Sequence, residues 1–122
     1  MIEYRTFFEE DPGCTACFEA LCDALMKRFP GTELLRQKTC LSFRDGRPYC
    51  YVSLPKGWNR KKNPERHIIV SFGLEMPVPD PRIWQAVRIR PDRWTHHIIV
   101  AAPEEIDDQL LAWLDWAHRM IE

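Results

Sequence analysis

Apolar residues along this chain change their spacing several times, and each change marks an element. Between Pro12-Gly13 and Pro30-Gly31, Phe18, Leu21, Cys22, Leu25 and Phe29 fall at helical spacing, which predicts a helix over about 14–29. From Leu34 the period shortens to two. Thr39, Leu41 and Phe43 take one side of a strand, and Lys38, Cys40, Ser42 and Arg44 take the other. Asp45-Gly46 then turns the chain into the aromatic and β-branched run Tyr49–Leu54, so 38–54 reads as a hairpin.

His67–Leu74 is apolar on both faces, as a central strand would be. Pro77, Pro79 and Pro81 stop it continuing. Two further strands, Trp84–Arg90 and Trp94–Ala101, flank Pro91-Asp92. Ala102-Pro103-Glu104-Glu105 has the chemistry of a helix start, with carboxylates at the positive end of the dipole. Ile106, Leu110, Trp113, Leu114, Ala117 and Ile121 then mark one helical face. Thr6 and Glu9 have capping-box spacing, which predicts a short helical turn near 6–10. The order helix, strands, helix lacks βαβ alternation. It predicts an α+β fold with an antiparallel sheet of about four to five strands and both helices on one face. The 122 residues suit one domain spanning 1–122.

Composition adds compartment and charge. No stretch reaches the roughly 18 apolar residues of a membrane helix, and the first residues lack an export signal, so a cytoplasmic location without membrane attachment is expected. The five cysteines then read as thiols. The net charge of -1 conceals segregation: residues 24–93 hold 15 Lys/Arg against 6 Asp/Glu, and the remaining residues hold 2 against 12.

Chemical motifs are sparse. Cys14 and Cys17 form a C-x-x-C at a helix start, where thiolates are favoured, but without the strand context of a redox domain; thiol redox or zinc binding there is an alternative. A second ligand pair for zinc would have to come from Cys40, Cys50, His96 and His97, which have no C-x-x-C spacing, so no metal site and no cofactor is expected. His96 and His97 are adjacent in a strand and must point to opposite faces. Gly-rich phosphate loops, G-x-S-x-G and H-E-x-x-H are absent, so no catalytic residue is assigned.

The remaining candidate is a basic binding surface. The polar hairpin side (Lys38, Ser42, Arg44), the loop residues Trp58, Arg60, Lys61 and Lys62, and Trp94 with His96 would surround a shallow site. An anionic small molecule or an acidic protein partner fits it. Nucleic acid fits less well, given the pI near 6.4. The alternative is an enzyme using His96 or a thiol. The oligomeric state is not readable from these features.

Tyr4–Phe8, the Phe18–Phe29 helix, Lys38–Arg44, Pro81-Arg82-Ile83, Arg93–His97 and Ile106–Leu114, in this order, resemble a family of small bacterial domains of unknown function related to the YdhG-like group. The resemblance spans nearly the whole chain. It implies the same α+β fold and supplies no activity or catalytic residue.

Overall fold

The computed structural model describes residues 12–37, 40–53 and 68–121, so the turn expected near 6–10 and the basic loop within 54–67 lie outside it. Helix α1, Pro12–Arg28, begins with proline, whose missing N–H costs nothing in a first turn, and ends with Lys27 and Arg28 at the negative end of its dipole. Pro30 stops it, and Thr32 closes the turn through its N–H to the Phe29 carbonyl at 2.9 Å.

Six strands follow among the described residues: β1 (Glu33–Arg36), β2 (Cys40–Asp45), β3 (Arg47–Ser53), β4 (Ile68–Leu74), β5 (Ile83–Arg90) and β6 (Arg93–Val100). They form one antiparallel sheet in the order β1-β2-β3-β4-β6-β5. The expected four to five strands fall short of the six observed, because Glu33–Arg36 forms its own edge strand. Four residues with adjacent leucines and charged ends carry no alternation, and short charged strands are how proteins blunt a sheet edge. The Gln37 N–H donates to the Cys40 carbonyl at 2.8 Å, which joins the end of β1 to the start of β2.

The β2–β3 hairpin turns at Gly46, whose φ of 80° is open to glycine at little cost. A bulge sets Phe43 opposite Cys50 and Arg44 opposite Pro48, leaving Tyr49 as the extra residue. The final helix starts later than expected. Pro103–Glu105 forms a separate 3₁₀ turn, and α2 runs Asp108–Met120, capped by the Asp107 carboxylate accepting the Leu110 N–H at 3.0 Å. Arg82 fastens this junction. It bonds Asp107 at 2.7 Å and the Glu105 carbonyl, and its hydrogen bond holds the Asp107 carboxyl below its usual range.

Alternation sorts the sheet into two faces. Leu41, Phe43, Val52, Val70, Phe72, Leu74, Ile98 and Val100 join Phe18, Leu21 and Leu25 of α1 and Leu110 and Leu114 of α2 in one buried cluster. Phe18 stacks on Phe43 with centroids 5.8 Å apart. The opposite face carries Ser42, Tyr51, Ser71 and His97, in register with one another across β2, β3, β4 and β6.

Candidate functional site

That polar row continues to Gln85 of β5. Ser71 Oγ lies 2.7 Å from His97 Nδ1, and the Trp84 and His97 rings meet edge-to-face with centroids 6.1 Å apart. Burial, with a smaller contribution from His96, lowers the His97 pKa, so the ring is neutral at pH 7 and pairs with the hydroxyl without a charge. Two residues along the strands the composition changes to Gly73, Thr95 and Val87, and then to Arg93 opposite Arg90.

Here the sheet opens. β3 pairs with β4 only from Tyr51 to Ser53, whereas β4 runs on against β6 as far as Leu74. The start of β3, displaced by its bulge, therefore parts from the end of β4, and a cleft of about 330 Å³ is found there. Arg47, Pro48, Tyr49 and Tyr51 line it from β3, with Phe72 and Gly73 from β4. Ile89, Arg90, Arg93 and Thr95 come from the β5–β6 hairpin. Ala117, Met120 and Ile121 come from the end of α2.

Its electrostatics are one-sided. No Asp or Glu lines the cleft, and among the described residues the ion pairs are Arg28–Asp115, Arg82–Asp107 and His118–Asp45, so Arg47, Arg90 and Arg93 are in none. Arg90 and Arg93 are direct cross-strand partners, an arrangement that costs stability when both are cationic. The carbonyl end of α2 offsets only part of this charge.

Arg93 is built into the cleft. Its side chain lies over Gly73, where a Cβ would stand 3.2 Å from Arg93 Cδ and 3.5 Å from Nη1. A larger residue at 73 would have to push the arginine aside. Arg93 Nε is buried and is the one such side-chain atom without a hydrogen-bond partner among the described residues. An unmet buried donor typically costs about 1–3 kcal/mol, which an incoming acceptor can recover.

A packed cluster holds the β3 wall. Phe29 stacks on His118 at 3.9 Å, His118 Nε2 meets Asp45 at 2.8 Å, and Tyr49 presents its edge to both rings. The Tyr49 hydroxyl pairs with Thr32 at 2.7 Å, and burial pushes its pKa up, so the phenol stays protonated. Gly31 fits against Asp45 where a Cβ would lie 2.9 Å from the carboxylate. These contacts tie the ends of α1, β2 and α2 to Tyr49.

A family model described as a domain of unknown function, DUF5655, matches residues 9–120. The chain belongs to this family. No curated protein and no solved structure gives a match. The DUF5655 match spans α1 to α2, so every cleft residue except Ile121 falls within it.

Of the residues singled out from sequence, Ser42 and Arg44 lie on one face of the sheet of this DUF5655 domain and Trp94 and His96 on the other. Lys38, Trp58, Arg60, Lys61 and Lys62 lie outside the described residues. Ser42 and Arg44 share the face opposite the core, but Ser42 is only 1% exposed, its hydroxyl donating to the Leu35 carbonyl at 3.4 Å. Arg44 donates to the Gly46 carbonyl at 3.2 Å. Trp94 and His96 project to the core side, opposite Leu74 and Phe72. His96 is fully buried and stacks on Phe72 at 5.5 Å. Its Nε2 accepts the Val78 N–H and its Nδ1–H donates to the Trp94 carbonyl, both at 3.1 Å. Burial lowers its pKa, so His96 is a neutral packing residue with both nitrogens engaged.

The described thiols are buried or half-buried. Cys17 is buried in the apolar cluster, and Cys14 has no described side chain. Burial raises the pKa of Cys22, Cys40 and Cys50, the opposite of thiolate activation. No group of three or more His, Cys, Asp or Glu positioned to hold a metal occurs among the described residues. The three cleft arginines and Gly73 were missed. Their signal in sequence was the cationic hairpin Arg88–Arg93 and a lone glycine in an apolar strand, a mark of close approach.

Proposed function

We propose that this DUF5655 domain is a non-catalytic binding module whose cleft of Arg47, Arg90 and Arg93 holds a small anionic ligand. The supporting observation is Arg93: laid over Gly73, partnerless at Nε, and set directly opposite another arginine. A half-open cleft of about 330 Å³ has the size of a small-molecule site rather than of a protein-docking surface, and a nucleic-acid strand would call for a longer basic track. Catalysis through His96 or a thiol is disfavoured by the engaged ring nitrogens and the raised thiol pKa values.

In the same proposal both helices lie on the core side, opposite the row of Ser42, Tyr51, Ser71 and His97. The support is that buried residues of each join one cluster with Leu41, Phe43 and Val70. Kinship with the bacterial YdhG-like group rests on the order of the sequence segments quoted above. Residence in a reducing compartment, the cytoplasm, is supported by the free thiols of Cys22, Cys40 and Cys50. No described helix is long and apolar enough to cross a membrane.

Thermal denaturation with inorganic phosphate tests the binding function. At about 100 times its Kd, phosphate should stabilise by about 2.7 kcal/mol, on the order of 10 °C for a domain of this size. Raising the salt should erode the shift. A melting temperature that stays constant across millimolar phosphate at low salt would remove the anion site.

A further inference from the structure

Binding at the arginines uses one part of the cleft. The rest is apolar: Phe72, Ala117, Met120 and Ile121 face it from β4 and α2, and Ile89 stands at its edge, 59% exposed between Arg88 and Arg90. A volume of about 330 Å³ has room for on the order of ten waters, whereas a bare oxyanion displaces only a few. Water left against Met120 and Ile121 would gain from displacement by hydrocarbon and not by a second polar group. Methionine, unbranched and polarisable, adapts its shape to such an occupant. At the other end, three guanidinium groups without carboxylate partners match a doubly charged head better than a singly charged one, and forked donors suit its several oxygens.

We infer that the ligand is a phosphomonoester of an apolar alcohol, alkyl or aryl, with its phosphate on Arg47, Arg90 and Arg93 and its hydrocarbon against Met120, Ile121 and Ile89. This rests on the anion-binding function proposed above and adds the chemistry of the ligand's body. Tyr51 and Thr95 also line the cleft, and their hydroxyls are of the type to accept or donate at the ester end.

The probes are inorganic phosphate and methyl, butyl, hexyl and phenyl phosphate, titrated by calorimetry into the wild-type protein and into Ile89→Ser and Met120→Ser. Ile89 is exposed, so its replacement leaves the fold intact even if Met120→Ser, which touches the core, does not. Affinity is expected to rise about fourfold for each methylene buried, with a shallower rise in Ile89→Ser and unchanged affinity for inorganic phosphate. If inorganic phosphate binds and lengthening the chain adds nothing, the ligand class is wrong while the anion site stands. A rise equally steep in both variants places the hydrocarbon elsewhere and likewise overturns the inference. If neither phosphate nor its esters bind, both proposals fall together.

Discussion

Arg93→Ala is expected to weaken inorganic phosphate at least tenfold without lowering the melting temperature of the unliganded protein. A hydrogen bond to a charged partner contributes about 1.5–3 kcal/mol, which corresponds to more than tenfold in Kd. The unliganded protein loses little, because Arg93 has no ion-pair partner, leaves Nε unmet, and stands opposite the like-charged Arg90. Arg28→Ala is the control. It removes the same formal charge from an exposed pair with Asp115, on α2 but away from the cleft-lining residues. Calorimetry should give near wild-type affinity for Arg28→Ala and a large loss for Arg93→Ala. Equal losses would mean that phosphate responds to overall charge and not to a site.

Phe43→Ala should have the largest effect on stability. Phe43 is fully buried, stacked on Phe18, and truncating such a ring costs about 3–5 kcal/mol through lost transfer energy and the cavity left behind. For a domain of this length that is more than about 10 °C in melting temperature. Ser42→Ala, one residue away, should cost no more than about 1.5 kcal/mol, since it removes one long hydrogen bond to Leu35. The pair of variants tests the register on which the cleft depends. A slip of one residue would put Ser42 into the core and Phe43 on the polar face. Urea denaturation of both proteins would expose such a slip by reversing the order of the two effects.

Much of the fold was legible because burial imposes a period. Leu41 and Phe43 alternate with Ser42 and Arg44, Asp45-Gly46 turns the hairpin, and Ile68–Leu74 is buried on both faces, so each left a local signature. β1 left none, being four residues at a sheet edge with one alternate position packed against the core. The start of α2 was misplaced because Pro103 and Glu104-Glu105 suit a 3₁₀ turn as well as they suit a helix. What separates the two is the bond from Asp107 to Leu110 and the grip of the distant Arg82.

The candidate site was hardly legible at all. Its residues come from four separated segments, 47–51, 72–73, 89–95 and 117–121, and each alone reads as ordinary strand or helix surface. Charge segregation showed that the middle of the chain is basic but not where its arginines meet. His96 illustrates the converse: alternation required one of two adjacent histidines to face the core, but which one depended on the register with Phe72.

The most direct test is a titration of ¹⁵N-labelled protein with inorganic phosphate, following backbone amides and the arginine Nε–H signals. The cleft predicts that Gly73, Arg90, Arg93 and Thr95 shift first and together, and that the Arg93 Nε–H moves as its missing acceptor arrives. Shifts centred on residues 56–66, or spread evenly over surface arginines with Gly73 and the Arg93 Nε–H unmoved, would contradict it.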